Sequence, residues 1–569
     1  MRSHGSWAGG AVLLLLFLCM LYPLFAVITN IFLPGLFFGE VQYTGFGLLL
    51  ELFDRPLWRQ SLINSLTLGL GTACLGTLLG ALLAILRSHW SFRASRLLDL
   101  SAWVLLIVPS FMIAQGWVLF AGSGGLANQW LGWSWLTALI FQPFGLILVM
   151  SLCKFPLAYL AVTAALEWNV SNYGDAARLN GGGPLTVWRT VHLPLSMPAI
   201  TAGWTLVFMD TIGDFGLPAA LATVYRFPTL PYSIYTAIYQ SPVRFDMAGV
   251  LALYLVAILA LAMAVLFIAL RKSRVDFLTS RAVVQAPGPS RYSWLMTGGV
   301  LLLLLIAVGI PVGTSISTSV LKQLGGGLTW SNLTLDHYIS LFNVPPGAHR
   351  TLPLFTGMRN SFMIAALAAV LSMALGFLTS YVVTFTRFRF KQLIHLSTVL
   401  SLAIPGVVLG IGYIFVWNQR WLEMIGLHLY GTPTLLVMAA VAGAIPYAVR
   451  LQIGAFAKIP SSMLNAAAMQ GAGSARRMKD ILLPLVRGGL LVATLASFGT
   501  SVYDLAIASI LKPPNYTLVP LVIDKAFEFS QYGYATAATV FSGSIVVIIL
   551  LLGNWLGKRW LSRPADNQE

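Results

Sequence analysis

Asp210 and Asp214 lie four residues apart inside an apolar run, a spacing that places both on one face of a helix. Asp504 stands in a similar run near the other end of the chain. A carboxylate at membrane depth is costly and faces a cavity or a charged partner. What such residues could do is attract cations and pass them along a polar route. A local reading stands beside it. Asp214-Phe215-Gly216-Leu217-Pro218 has the composition of a helix break, and an aspartate there can bond the freed amides. For a single aspartate the local cap is the first reading; a symmetric pair formed by Asp214 and Asp504 favours the route.

Other chemistry lacks its apparatus. The chain has no H-E-x-x-H, C-x-x-C or G-x-S-x-G pattern. Its three cysteines, Cys19, Cys74 and Cys153, each sit in an apolar run and suggest neither a disulfide framework nor a metal site. The single Gly-Lys pair, Gly557-Lys558, has Leu552 where a phosphate loop needs glycine and Arg559 where it needs Ser or Thr. No catalytic residue and no bound cofactor is therefore expected. A polytopic membrane enzyme would need a catalytic cluster in a sizeable loop. The longest outer loop, about 321–356, offers Asp336, His337 and His349 without recognisable spacing, and reads as a cap or docking surface.

The elements that position the aspartates are membrane spans. Of the 569 residues, 58% are hydrophobic and only 9% charged. Runs long enough to cross a hydrocarbon core fall near 9–32, 61–86, 97–121, 136–166, 199–221 and 246–270, then near 294–320, 357–385, 393–418, 432–457, 488–511 and 535–557. The expected fold is an all-α membrane protein of about twelve transmembrane helices. The first run is read as a retained helix rather than a cleaved signal. With the N-terminus inside, 24 of the 34 basic residues, Lys154 among them, fall on the cytoplasmic side, so both termini are expected there. The net charge of +16 is then explained by short inner loops, with no nucleic acid as partner. The expected location is a bacterial inner membrane, with lipid around the spans.

Two sets of six spans share a pattern. Asn64-Ser65 recurs as Asn360-Ser361, Gly80 as Gly376 and Pro109 as Pro405, each at an offset of 296. Pro156 with Pro446, Gly181 with Gly471, Pro194 with Pro484 and Asp214 with Asp504 are offset by 290. One six-residue length difference between 110 and 155 accounts for the change, and a near-constant offset across several spans indicates two copies of one unit. An even number of spans gives both copies one orientation, about a pseudo-twofold axis along the membrane normal that Asp214 and Asp504 would face. The domains are thus expected as a first repeat at 1–270, a cytoplasmic linker at 271–293, a second repeat at 294–560 and a tail at 561–569, with inner loops at 167–198 and 458–488.

Those inner loops carry a repeated motif. The first reads Asp175-Ala176-Ala177-x3-Gly181-x9-Val191-x-Leu193-Pro194, and the second Asn465-Ala466-Ala467-x3-Gly471-x9-Ile481-x-Leu483-Pro484. Alanines favour a helix, glycines end it, Pro184 suits the first turn of a second helix, and Ser474 is placed to cap its counterpart. The expected shape is a short helix, a turn and a second short helix on the cytoplasmic surface, with Arg178, Arg189, Arg476, Arg477 and Lys479 supplying charge.

The motif resembles the E-A-A-x3-G-x9-I-x-L-P loop of ATP-binding-cassette (ABC) importer permeases, and the resemblance covers about 60–270 and 357–557. It implies a non-catalytic permease whose loops seat in clefts of two copies of a cytoplasmic ATPase, with ATP and Mg held by that partner and cargo delivered by an extracytoplasmic solute-binding protein. The acidic first position is Asp175 in one loop and Asn465 in the other, so a salt bridge open to the first is not open to the second. Thr211-Ile212-Gly213-Asp214-Phe215-Gly216 also resembles the fused permeases of the ferric-iron group, related to thiamine and polyamine importers. That makes iron(III) the first cargo to consider, then thiamine, polyamine or phosphonate. A secondary transporter of the major facilitator type also has twelve spans in two halves, but its G-x-x-x-D-R-x-G-R-R loop is absent: Arg87-Ser88-His89-Trp90-Ser91-Phe92-Arg93 stands there.

Overall fold

A computed structural model describes residues 4–34, 36, 43, 46–166, 176–225, 227–272, 288–327, 329–342, 353–401 and 404–561. Asp175, His349, most of the 271–293 linker and the tail beyond 561 lie outside them. Among the described residues, eleven helices are long and apolar enough to cross a membrane, and Gly406–Trp417 is a shorter apolar helix. The protein is all-α in its architecture, as expected. Its regular strands among the described residues are the two-residue pieces Trp90–Ser91 and Gly288–Pro289, paired in parallel.

Several expected spans are broken rather than continuous. The run at 97–121 forms Ser95–Ile107 and Ser110–Ala121, and the run at 393–418 forms Lys391–Leu400 and Gly406–Trp417. Pro109 and Pro405 cap the second pieces in extended conformation, with ψ of 139° and 147°. Proline supplies no amide and pushes its predecessor out of helical geometry, so an apolar run alone does not reveal the interruption. The fifth runs break too, Leu193–Ile212 before Gly216–Tyr225, and Leu483–Val502 before Leu505–Leu511.

Two compact units result: Met1–Glu51 with Ala237–Leu253 and Thr334–Glu569, and Leu52–Thr236 with Tyr254–Leu333. They do not follow the sequence repeats from end to end, because each takes its first helix from the other repeat. In one unit the N-terminal helix lies on Gly406–Trp417. A Cβ at Gly412 would stand 2.5 Å from the Pro23 carbonyl oxygen, and the Tyr413 hydroxyl donates to the carbonyl of Cys19 at 3.0 Å. In the other unit Ser293–Ser319 lies on Ser110–Ala121, and a Cβ at Gly116 would stand 2.5 Å from the Pro311 carbonyl oxygen. Where lipid is as apolar as the side chains, such close backbone approach supplies the packing.

The repeat markers have structural work in each unit. Asn64 donates to the Pro228 carbonyl at 2.9 Å, and Ser65 accepts from the Leu230 amide at 2.7 Å. Asn360 donates to Thr517 at 2.9 Å, and Ser361 accepts from Val519 at 3.0 Å. Both pairs satisfy backbone groups where the chain enters the second helix beyond the fifth-span break, Leu230–Tyr239 in one unit and Val519–Glu528 in the other, groups that lipid could not satisfy. Gly80 and Gly376 admit the fourth span. A Cβ would stand 2.6 Å from the Phe155 carbonyl oxygen in one case and 2.9 Å from the Gln452 amide nitrogen in the other.

One ion cluster pins the 237–253 segment within its unit. Arg244 forks onto both oxygens of Glu51 at 3.1 and 3.0 Å and onto Asp246 at 2.8–3.1 Å. The hydrogen bonds that the guanidinium donates to Asp246, then to Glu51, hold its pKa far above the ordinary value. Arg244→Ala is expected to lower the thermal midpoint of the purified protein by an amount equivalent to about 1.5–3 kcal/mol, the range for hydrogen bonds to charged groups. Arg244→Lys should recover only part, because an ammonium lacks the planar fork. Equal midpoints for all three proteins would remove the cluster from the stability account.

Candidate coupling elements and an intramembrane ion cluster

The two inner loops adopt the same turn. Ala176 and Ala177 open a helical turn at 176–179, and Asn465, Ala466 and Ala467 lie in Ser461–Met469. Gly181 and Gly471 follow with φ of +86° and +81°. The Gly182 amide donates to Ala177 at 3.0 Å and the Gly181 amide to Arg178 at 2.9 Å, while Ala472 donates to Ala467 at 3.0 Å and Gly471 to Ala468 at 3.1 Å. This six-to-one and five-to-two pattern is a Schellman ending, which requires a left-handed residue at the glycine. Just before each turn a large apolar side chain is exposed, Leu179 at 89% and Met469 at 88%.

The second helix of each loop is not a separate piece. Pro184–Val187 runs through a π-turn, Trp188–His192, into Leu193–Ile212, and Ser474–Arg477 runs through Met478–Leu482 into Leu483–Val502. Each wide turn closes from Leu193 to Trp188 and from Leu483 to Met478. Pro194 and Pro484 come immediately after. A proline in a helix lacks the amide for its own bond and crowds the carbonyl four residues back, and a wider turn relieves both defects. The Leu-Pro end of the motif thus marks a continuous rod from loop to fifth span. Ser474 occupies the first helical position rather than the cap, which is Gly473 and makes no side-chain bond. Arg476 reaches Asp480 at 3.3 Å, but both are well exposed and such a surface pair contributes little.

At its far end each rod breaks at an aspartate. The helix carrying Asp210 stops at Ile212, so Asp214 lies beyond it rather than on the same helix face. Asp214 Oδ1 accepts from the Leu217 amide at 3.1 Å and from the Ser110 hydroxyl at 2.8 Å. Asp504 Oδ1 accepts from the Ile507 amide at 2.9 Å. Both therefore cap the helix that follows them. The feature that span counting did not find is Lys154. Its ammonium lies 2.5 Å from Asp210 Oδ2 and 2.8 Å from Asp214 Oδ2. The charge count placed it with the cytoplasmic anchors. A lone lysine inside Pro143–Leu166, two residues before Pro156, was the available signal.

The corresponding positions in the second repeat are Ala444 for Lys154, Thr500 for Asp210 and Gly406 for Ser110. Asp504 has there a small cavity of about 20 Å³, bordered by Ser361, Ser501, Ile364 and Leu436, room for about one water molecule.

Comparison with known proteins agrees with this architecture. The profile of the binding-protein-dependent transport system inner membrane component matches residues 76–276 and 372–562. The ferric transport system permease protein FbpB of Actinobacillus pleuropneumoniae is 21% identical, over 95% of this chain and 76% of its own. A Haemophilus influenzae protein provisionally named as ferric transport permease FbpB 1 is 22% identical, over 86% of this chain and 74% of its own. The molybdenum transport permease ModB of Escherichia coli is 30% identical over 33% of this chain and 82% of its own. Two copies of one permease unit, broken fifth spans fed from inner loops, and spans enough for a multi-pass inner-membrane protein converge: the chain belongs to the binding-protein-dependent transport system inner membrane components, the permeases of ABC importers.

Proposed function

We propose that this chain forms the solute pathway of its importer and is driven by two copies of a separate ATPase, one on each inner loop. The observation that carries this reading is the pair of matching rods. Each begins at a Schellman turn with an exposed apolar residue and continues without interruption to the aspartate at the fifth-span break. A push on either loop thus has a stiff path to the middle of the membrane. ATP and Mg belong to the partner, and an extracytoplasmic binding protein presents the cargo. The loop residues Ala176, Ala177, Gly181, Leu193 and Pro194, with Asn465, Ala466, Ala467, Gly471, Leu483 and Pro484, form the contact and its lever; Asp175 precedes the first.

Iron(III) is the proposed cargo. Support comes from the relative matched over 95% of the chain, which is named for ferric transport. The carboxylates at the breaks give a physical reason for a cation. Family membership alone does not choose, since a relative matching one half is named for molybdenum. Coexpressed with its ATPase, one permease chain should copurify with two ATPase subunits and should hydrolyse no ATP without them. Native mass measurement and phosphate release check this. A stable one-to-one complex, or hydrolysis by the permease alone, would overturn the assignment. Uptake of radioactive iron(III) by cells carrying the full system, set against thiamine and spermidine, tests the cargo.

A further inference from the structure

The two fifth-span breaks hold different residues but the same net charge. In the first, Asp210 and Asp214 share the Lys154 ammonium; in the second, Asp504 stands with Ala444 and Thr500 in the corresponding places. With every aspartate ionised, each break carries one net negative charge. The first holds one carboxylate and one ammonium more than the second. This extra pair is not equally buried: the Asp210 side chain is 40% exposed, Lys154 14% and Asp214 6%. The open member is therefore Asp210, and the ammonium sits behind it against the enclosed carboxylate.

We propose that Lys154 is a specificity-determining residue, a tethered counter-cation that fills the position between Asp210 and Asp214 where a multivalent cation would otherwise lodge. Two carboxylates converging on one point are the oxygen set that hard cations prefer. Without an ammonium there, a di- or trivalent ion reaching Asp210 would be held by both. A pathway must bind weakly enough to release. By occupying the position, Lys154 leaves the break attractive to positive charge, at one net negative, without a chelating pair. This rests on the reading that the fifth-span carboxylates line the route.

The test uses the purified permease–ATPase complex and Mg²⁺ as probe. Thermal midpoints are compared in choline chloride and in magnesium chloride at matched ionic strength. Wild type sets the response that belongs to the partner ATPase, because its own position between the carboxylates is filled. Lys154→Ala should lose stability in choline and recover at least half of that loss in Mg²⁺, since the vacated carboxylate pair takes the ion. The double variant K154A/D210T, which leaves the first break with one carboxylate and no ammonium like the second, should again respond to Mg²⁺ no more than wild type. If Lys154→Ala does not accumulate, Lys154→Gln, which still offers a donor to one carboxylate, carries the same comparison. The proposal is overturned if the single variant responds to Mg²⁺ no more than wild type, or if it is as stable as wild type in choline. The underlying pathway reading fails separately: normal iron(III) uptake by an Asp214→Asn, Asp504→Asn double variant would remove it, whatever the Mg²⁺ comparison shows.

Discussion

Gly181→Val and Gly471→Val are each expected to abolish most uptake while leaving the protein inserted in the membrane. Both glycines hold a left-handed backbone, at φ of +86° and +81°, and nothing lies within 4 Å of the place a Cβ would take at either. The penalty is therefore one of backbone conformation and not of crowding. A non-glycine residue in this region costs about 1–3 kcal/mol, and a branched side chain stands at the upper end. At the upper end that depletes the Schellman turn by roughly a hundredfold, taking about 1.4 kcal/mol for each tenfold change. The Ala177 and Ala467 carbonyls would lose their amide partners, and the second helix would leave the loop at a different angle. Because that helix continues into the fifth span, an altered exit angle should uncouple ATP hydrolysis from transport as well as weaken ATPase docking. Asparagine tolerates the left-handed region better than other side chains. Uptake should therefore fall in the order Gly, Asn, Ala, Val at both positions. Measurement of radioactive iron(III) uptake, membrane yield and ATPase copurification for the series distinguishes the causes. If Asn proves as damaging as Val, side-chain bulk at the partner surface and not the turn is at issue. If all four transport equally, the loops have been given the wrong role.

The fold was legible where a residue's effect is local or periodic. Apolar runs announced the spans, and the constant offsets announced the repeat, because Asn64-Ser65 and Gly80 must recur wherever the same backbone groups need partners and the same helices must touch. Other features depend on what a run of residues meets in space. Pro109 and Pro405 were visible as repeat markers, yet hydropathy has no term for a missing amide, so the two broken helices read as continuous. The exchange of first helices between units was invisible because Pro23 and Pro311 give no sign of which glycine they approach. The π-turns follow from Pro194 and Pro484, but the sequence alone suggested separate short helices. Lys154 was counted as an inner-side anchor because it lies near the inner end of its helix, and its partners lie more than fifty residues away. A related asymmetry escaped for the same reason. His89 and His192 meet edge to face at 5.3 Å beside the first π-turn. In the second repeat the positions at the same offsets are Phe385 and Leu482, both part of an apolar cluster.

The aspartates separate route from scaffold most sharply when Asn and Ala are compared at each position. Asp214 holds three groups, the Leu217 amide, the Ser110 hydroxyl and the Lys154 ammonium, whereas Asp504 holds the Ile507 amide and, among the described residues, no cation. Asp504→Ala should cost about 0.5–2 kcal/mol, the value of a lost cap. Asp214→Ala should cost more, because it also leaves a largely enclosed ammonium with Asp210 alone, and removing one partner of a buried pair costs about 3–5 kcal/mol before allowance for the partner that remains. Membrane yield should therefore fall further for Asp214→Ala than for Asp504→Ala. Asparagine caps about as well as aspartate, so both Asn variants should accumulate better than their Ala counterparts. Transport then decides the role. Asp504→Asn removes the whole net charge of its break, and Asp214→Asn leaves Lys154 balanced by Asp210, so both breaks of the double Asn variant are neutral. If a cation passes them, iron(III) uptake by that variant should fall at least about tenfold, the effect of a barrier raised by about 1.4 kcal/mol. ATPase docking should be unchanged, since the loops are untouched. Normal uptake by the double Asn variant would leave both residues as helix caps only and would remove the physical reason for preferring a cation, with the ferric relatives alone then supporting iron(III).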